Sequence, residues 1–227
     1  MRSYGQYCPV AKGAELLGDR WTLLIVRELL FGPLGFNEIE RGLPGISRSV
    51  LSDRLHRLRR DGIVERGEGG YSFTLAGEEL RPVVQAIGDW VARWVMEDPR
   101  PAELDPSLLM LWISRHIRRE ALPDHRVVVE FRFTDLRSRC TWLVMDRNDV
   151  SACLEHPGFA VNLVLTSTTR ALYRVYMGRT TLESAVRTGD VTLEGLPWAV
   201  RAFPKWMAWS HFSDTMRERL ETIPARR

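Results

Sequence analysis

Apolar residues near the start of the chain recur at spacings of three and four, which is the period of one face of a helix. The stretch AKGAELLGDRWTLLIVRELLFG keeps this spacing throughout residues 11–32. Its members are Leu16, Leu17, Trp21, Leu24, Ile25, Leu29 and Leu30. We therefore predict that this stretch forms a helix with one buried face.

Shorter elements follow. FNEIERGL predicts a short helix, PGIS turns the chain, and Ser47 is a predicted N-cap for a helix that ends at Asp61-Gly62. IVERGEGGYSFTL predicts a β-hairpin around Gly67–Gly70. EELRPVVQAIGDWVARWVM then predicts a helix with an apolar stripe of Ile87, Trp90, Val91 and Trp94. Helix, turn, helix and hairpin in this order predict a winged helix-turn-helix.

The period changes to two in the second half of the chain. RVVVEFRFT alternates apolar and polar residues, and CTWLVMD, AVNLVLTS and DVTLEG are further predicted strands. TTLESAVRTG opens on a capping box, Thr180 to Glu183, and ends at Gly189, while LPWAVRAFPKWMAWSHF predicts a Trp-rich helix. We predict an α+β fold in which helices pack on a mainly antiparallel sheet.

The boundary between the two halves is predicted from a proline-rich, charged segment. EDPRPAELDP, Glu97–Pro106, holds three prolines among acidic and basic residues. We therefore expect a first domain over residues 1–98, a linker over 99–106 and a second domain over 107–227.

Composition excludes several classes of protein. A hydrophobic content of 44% with eight Trp and eight Phe is sufficient for packed cores. No apolar run approaches the roughly 20 residues of a membrane helix, and the first residues lack a signal-peptide core, so a cytoplasmic protein is expected. Cys8, Cys140 and Cys153 are too widely spaced for a disulfide framework or a zinc site, so no metal or other cofactor is expected.

Catalytic motifs are also missing from the sequence. There is no G-x-S-x-G, no H-E-x-x-H and no P-loop, and GEGG fits a hairpin turn. We therefore expect a protein that is not an enzyme. A carrier or enzyme whose first domain is an interaction module is the class that the sequence supports least.

Net charge is +3, yet residues 1–98 hold 13 Lys and Arg against 14 Asp and Glu. Bulk charge therefore does not favour nucleic-acid binding by the first domain. Local charge does, because the segment Arg48–Arg60 holds five Arg and one Asp.

The helix that starts at Arg48 has two distinct faces. Leu51, Leu55 and Leu58 fall in one sector and are predicted to be buried. The opposite side is predicted to face DNA and holds Ser49, Ser52, Asp53, His56, Arg57 and Arg60. Arg48 and Ser47 at the start of the helix and Arg66 beside the hairpin turn are further candidates for DNA contacts.

A solvated amphipathic helix is the alternative interpretation of this basic segment. The turn before it and the hairpin after it favour DNA recognition, because a recognition helix needs leucines on one side and short polar groups and Arg on the other. Arg66 is almost as well explained as a solvated side chain, and Ser47 primarily as a helix cap.

The segment from YCPVAKGAELLGDRW to LPGISRSVLSDRLHRLRRDGIVER resembles the HxlR-type winged-helix regulators of bacteria, over roughly residues 5–95. The resemblance implies a homodimeric transcription factor that binds palindromic double-stranded operator DNA, and we expect it to act as a repressor. It also places the dimer interface at the first helix and the Trp90/Trp94 stripe. Two departures reduce the expected DNA contacts: Gly35 stands where such proteins commonly carry a basic residue, and the wing RGEGGY is glycine-rich.

The second half resembles sterol-carrier-protein-like domains over residues 107–212, through the segment YRVYMGRTTLESAVRTGDVTLEGLPWAVRAFPKWM. The resemblance implies a sheet with helices over one face and an apolar cavity for a small apolar effector. The predicted pocket residues are Phe131, Phe133, Trp142, Trp198, Phe203 and Trp206. An ordinary filled core explains the same aromatic residues equally well.

Cys8 is a second candidate for the group through which the regulator is controlled. Its position matches a thiol that senses oxidants or electrophiles in some HxlR-type proteins, and basic residues lie near it in the sequence. A redox switch with a structural second domain is therefore the alternative to an apolar effector. A buried structural cysteine is the plainer interpretation of the same residue.

Overall fold

A computed structural model describes residues 3–135 and 139–222 of the chain. The chain divides into two compact units between Gly88 and Asp89. The predicted domain ranges also include residues 1, 2, 136–138 and 223–227, which lie outside the described residues.

The first unit consists of helices and one β-hairpin. Its elements are α1 (Pro9–Leu17), α2 (Thr22–Leu29), α3 (Phe36–Arg41), α4 (Arg48–Arg60), β1 (Val64–Gly67), β2 (Gly70–Phe73), α5 (Leu75–Glu78) and α6 (Arg81–Trp94), which runs past the division. The predicted order of helix, turn, helix and hairpin is therefore present.

The predicted helix over residues 11–32 is in fact two helices. The break lies at Trp21, whose φ of 80° is left-handed and therefore cannot continue a right-handed helix. Only Ile25 and Leu29 of the seven predicted residues are buried, because α1 has no buried residue, Trp21 and Leu30 are partly exposed, and Leu24 is 40% exposed. The core of this unit instead takes Ile25, Val26 and Leu29 from α2.

α4 forms where the sequence predicts it. The Ser47 hydroxyl accepts a hydrogen bond from the backbone N–H of Val50 at 3.3 Å, which caps the first turn. Leu51, Leu55 and Leu58 are buried against the core of the first unit, as their spacing predicts. The helix is therefore fixed along one side and exposed along the other.

The β-hairpin pairs with the chain ahead of α3. Leu34 and Tyr71 exchange backbone hydrogen bonds of 3.0 and 2.8 Å. This approach requires Gly70, which has a φ of 105° and whose missing Cβ would overlap the carbonyl oxygen of Leu34. The position of the wing thus depends on a residue without a side chain.

The second unit contains a five-stranded sheet and helices. Its further elements are α7 (Pro106–Arg115), β3 (Val127–Phe133), β4 (Arg139–Met145), β5 (Val150–Cys153), β6 (Leu163–Ser167), α8 (Thr169–Tyr176), α9 (Leu182–Thr188), β7 (Val191–Gly195), α10 (Pro197–Trp206) and α11 (Ser213–Thr222), with short 3₁₀ turns at Pro101–Glu103 and Arg119–Ala121. The strand order is β5-β4-β3-β6-β7, and the β3–β6 pair is parallel while the other pairs are antiparallel. The mixed α+β class is confirmed.

β3 is the central strand, and it is more deeply buried than its alternating sequence predicts. Val127, Val129, Phe131 and Phe133 pack in the core, while Val128 and Glu130 on the other face are also buried.

The predicted cap of α9 is wrong by one residue. Thr181, not Thr180, caps α9 by accepting a hydrogen bond from the N–H of Ser184 at 3.0 Å.

The end of α6 belongs to the second unit. Ala92 is buried in that unit's core, the Thr215 hydroxyl donates to Asp89 at 2.8 Å, and Arg219 donates to the carbonyl of Ala92 at 3.1 Å. The division therefore lies earlier in the chain than the predicted linker over 99–106, because the residues just before that linker already have partners in the second unit.

Candidate nucleic-acid interface

The exposed side of α4 carries most of the residues that the sequence proposes for DNA contact. These are Ser47, Arg48, Ser49, Ser52, Asp53, His56 and Arg60. All of them are exposed, whereas the leucines of the same helix are buried, and Ser49, Asp53, His56 and Arg60 lie opposite those leucines.

The N-terminal end of α4 offers hydroxyl groups to an anion. The Ser47 and Ser49 hydroxyl oxygens lie 3.2 Å apart, at the start of a helix of 13 residues. The first N–H groups of a helix and its dipole favour a negative charge at this end. The arrangement suits a backbone phosphate.

Arg57 does not share the exposed face, which corrects the sequence prediction. Its Nη1 contacts Asp19 Oδ2 at 2.5 Å, and its Nη2 donates to the carbonyl of Glu15 at 2.9 Å. Its side chain is only 23% exposed. Arg54 also reaches Asp19, at 3.5 Å. Arg57 therefore joins α4 to the segment of α1 and the turn after it, because a carboxylate there pairs with it.

Arg48 is exposed but has partners in α3. It pairs with Glu40, donates to Asn37 Oδ1 at 3.1 Å, and its guanidinium lies 4.8 Å from the centre of the Phe36 ring. The side chain thus bridges the two helices of the helix-turn-helix. A phosphate or base can reach Arg48 only in competition with the Glu40 carboxylate.

The remaining candidate arginines lie near the end of α4 and on the hairpin. Arg60 is exposed and contacts Asp61 at 3.3 Å, and Arg66 lies 5.6 Å from the Tyr71 ring on the neighbouring strand. Sequence reasoning missed Arg59, which is exposed on the same side as Ser52. Its position seven residues, or two turns, after Ser52 was the available signal.

Gly35 is the N-cap of α3, and it supplies no side chain to the interface. Its backbone N–H donates to Glu38 Oε2 at 2.7 Å. A Cβ at this position would meet Glu38 Oε2 at 3.1 Å. Glu38 therefore satisfies the backbone N–H of Gly35 at the start of α3.

Cys8 lies just before α1 and is exposed, so it is not the buried structural cysteine of the plainer interpretation. Glu15 links the residues before and after Cys8. It accepts hydrogen bonds from Lys12 Nζ at 2.9 Å, the Ser3 hydroxyl at 2.8 Å and the N–H of Tyr4 at 2.7 Å. These bonds, that from Lys12 first, lower the pKa of Glu15 to about 2.

Five of the six aromatic residues predicted to line a pocket pack in or against one core, and Trp142 does not join them. Phe131, Phe203 and Trp206 are buried in one core, where the Phe131–Phe203 and Phe203–Trp206 ring centres are 6.4 and 6.2 Å apart. Phe133 is buried in the same core, and Trp198 packs against Trp206 at 6.1 Å.

Trp142 lies on the opposite face of the sheet from these rings. It pairs in register with Glu130, whose side chain points away from that of Phe131 because successive residues of a strand alternate. Its ring contacts His156 at 5.4 Å. The aromatic set is thus divided between two faces, which no single-sequence pattern reveals.

Within residues 3–135 and 139–222, no group of three or more His, Cys, Asp and Glu side chains is arranged to hold a metal ion. None of the helices described there is both long and apolar enough to cross a membrane.

Comparison with known proteins places the resemblance in the first part of the chain. The profile described as HxlR-like helix-turn-helix matches residues 16–99. The HTH-type transcriptional regulator YvaP of Bacillus subtilis is 37% identical over 112 residues, which are 46% of this chain and 95% of YvaP.

Two solved structures each match a little more than a third of the chain. Quinone-bound YodB from B. subtilis is 38% identical over 38% of this chain and all of YodB, with a TM-score of 0.37. HypR, described as a redox regulator in its reduced form, is 30% identical over 37% of this chain and 90% of HypR, with a TM-score of 0.35. Because this chain covers nearly the whole of YvaP at 37% identity, it belongs to the HxlR-like helix-turn-helix family of transcriptional regulators.

Proposed function

We propose that this regulator is a cytoplasmic repressor that inserts α4 into the major groove of a palindromic operator. The observation that carries the proposal is the division of α4 into a buried leucine side and an exposed side of serines, arginines and a histidine. Ser52 and His56 are central on the exposed side and take base edges, while Ser47, Ser49 and Arg60 take phosphates. Arg66 is the hairpin's candidate for a further phosphate contact.

Selection of binding sites from a random pool of duplexes tests this proposal, followed by titration of the selected duplex at one fixed salt concentration. A palindromic site is expected, and it should bind more tightly than a scrambled duplex of the same length. Equal affinity for the two duplexes would contradict sequence-specific recognition by α4.

A homodimer is the second part of the proposal, because one recognition helix reads only half of a palindrome. Its support is an exposed apolar stripe on α6 formed by Val83, Ile87, Trp90 and Trp94, of which Trp90 is 59% exposed. Such a stripe at helical spacing suits pairing with a second copy. Sedimentation of the full chain tests it: a monomer at micromolar concentration that still binds the selected duplex tightly would contradict it.

Control by a small apolar effector in the second unit is the third part, and it rests on the sterol-carrier-like resemblance. Phe131, Phe203 and Trp206 pack against one another, so an apolar ligand would have to displace these rings. Native mass spectrometry of the purified protein tests for a retained apolar molecule. A ligand changes DNA affinity only if it binds the DNA-competent arrangement with a different affinity from the other.

A redox switch is the alternative mode of control, and the exposure of Cys8 favours it. An exposed thiol can meet an oxidant without local unfolding. The test treats the full chain and its Cys8→Ser variant with diamide before DNA titration. Release of DNA by the wild type alone would support the switch, and identical behaviour of the two would exclude Cys8 as its sensor.

A further inference from the structure

A groove of about 280 Å³ opens on the second unit beside α8. Its walls come from α8 and its N-cap, from the segment around α9, and from Asp190 just before β7. Ala171 and Ala185 line it with small side chains, and Thr168 and Thr180 add hydroxyl groups. It does not include any of the aromatic residues that the sequence proposed for an apolar pocket.

Two arginines of α8 line the groove, and their charges are poorly compensated. Among the described residues, Arg170 has no carboxylate partner, and the carboxylate nearest Arg174 is that of Asp98 at 3.7 Å. By contrast, Arg179 nearby contacts Asp98 at 3.1 Å and donates to the carbonyl of Met96 at 2.9 Å. Since residues four apart lie on one helix face, Arg170 and Arg174 can serve one ligand together.

Asp190 is the third charged residue in the wall of the groove, and it restricts the class of ligand. Guanidinium groups bind carboxylates and phosphates through paired hydrogen bonds. Asp190 also lines the groove, and its carboxylate accepts a hydrogen bond from the Thr188 hydroxyl at 2.6 Å. The negative charge of Asp190 disfavours a phosphate dianion and favours a ligand with a single carboxylate whose other end carries a hydrogen-bond donor.

We propose that this groove binds a small organic acid, with its carboxylate on Arg170 and Arg174 and a donor group toward Asp190. The alanine wall accommodates a flat apolar body between these ends. The inference goes beyond the proposed function, because it requires neither DNA nor a dimer. It also names a ligand class different from the apolar effector.

The test titrates the full chain with 4-hydroxybenzoate, which carries a carboxylate, a ring and a hydroxyl donor, and follows amide shifts of α8 by NMR. The matched probe 4-hydroxybenzamide keeps the shape and loses the charge. We expect the acid to bind the wild type and the amide to bind at least about tenfold more weakly, because charged hydrogen bonds are the stronger ones.

Two variants locate the site. Arg170→Gln/Arg174→Gln should weaken binding of the acid at least about tenfold. Arg201→Gln is the matched control, since Arg201 is exposed on α10, does not line the groove and has no carboxylate partner among the described residues. It should bind like the wild type.

Four results would overturn the proposal: no binding of the acid at millimolar concentration, equal binding of the amide, unchanged binding by the double variant, or tighter binding of inorganic phosphate than of the acid. The amide and phosphate comparisons use the wild-type chain, so they stand even if the double variant fails to fold. DNA affinity of the double variant without added acid should equal that of the wild type, which separates failure of this site from failure of the DNA-binding proposal.

Discussion

Arg57 of α4 contacts Asp19 at 2.5 Å, across 38 residues of sequence. The same guanidinium donates to the carbonyl of Glu15 at 2.9 Å. One arginine of the basic helix thus contributes to the fold of the first unit instead of to its exposed face.

Arg57→Ala is therefore expected to reduce the local stability of the first unit by about 1–3 kcal/mol, the cost of leaving Asp19 without this partner. Native-state hydrogen exchange of the α4 amides measures it without assuming that the whole chain unfolds in one step. Arg60→Ala is the control, because Arg60 is exposed and should change exchange by no more than about 0.5 kcal/mol. Similar changes in the two variants would contradict the structural role of Arg57.

Ser52→Ala is expected to weaken binding to the selected operator by about 1–3 kcal/mol if Ser52 contacts a base edge, and to leave binding to a scrambled duplex unchanged. Asp53→Asn should strengthen binding to both duplexes, because it removes an exposed negative charge beside the phosphates. Fluorescence anisotropy at fixed salt measures both. If Ser52→Ala weakens the two duplexes equally, Ser52 does not contribute to sequence recognition.

Glu40→Gln is expected to strengthen DNA binding, because Arg48 loses its carboxylate competitor and becomes available to phosphate. The slope of log affinity against log salt should steepen by about one phosphate contact. The double variant Glu40→Gln/Arg48→Gln is the control. If it shows the same gain, repulsion by Glu40 alone accounts for the effect.

The second unit should lose stability as the pH falls below the ordinary histidine pKa of 6.5. Burial lowers the pKa of His116, so the folded state binds the proton less tightly than the unfolded chain and acid favours unfolding. Its Nδ1 lies 2.8 Å from the carbonyl oxygen of Trp112 and 3.3 Å from the Tyr176 hydroxyl, and the ring of His211 is centred 4.8 Å away.

The measurement is the urea midpoint of the second unit, followed by a Val129 methyl resonance between about pH 7.5 and about pH 5.5. His116→Gln should flatten this dependence. His211→Gln, at an exposed position, should retain most of it. A wild-type midpoint that does not change across this range would exclude the effect.

Gly70→Ala is expected to destabilise the hairpin by about 1–3 kcal/mol, because its φ is positive and the added methyl group would overlap the Leu34 carbonyl. Hydrogen exchange at the Leu34 and Tyr71 amides reports on this bridge. Gly69→Ala is the matched control, since its nearest neighbour would be Pro33 Cβ at 3.8 Å. Equal protection in both variants would show that the Leu34 bridge does not depend on Gly70.

Local patterns predicted α4 and its surroundings well because their causes are local. The spacing of Leu51, Leu55 and Leu58, the hydroxyl of Ser47 and the glycines of the hairpin each act within a few residues. The break at Trp21 could not be predicted in this way, since a left-handed φ is unusual for a residue other than glycine and is imposed by surrounding packing.

The sequence predictions for Arg57 and Trp142 were wrong because residues far away in the sequence determine where these side chains lie. A helical wheel places Arg57 at the edge of the exposed side, and only the distant Asp19 determines where its side chain goes. Likewise, the face on which Trp142 lies follows from its pairing with Glu130, which is a matter of strand register. Periodicity within one segment contains neither piece of information.

The lack of buried residues in α1 has a consequence for how this helix responds to its surroundings. α1 contributes Leu16 as a partly buried neighbour of the core, and its last turn is held by the hydrogen bond from Arg57 to Glu15. The ion pair of Arg57 with Asp19, just after α1, weakens as dissolved ions screen it, whereas the burial of apolar side chains is not screened. We therefore expect α1, with Cys8 at its start, to loosen from the first unit in concentrated salt while the leucine side of α4 stays in place.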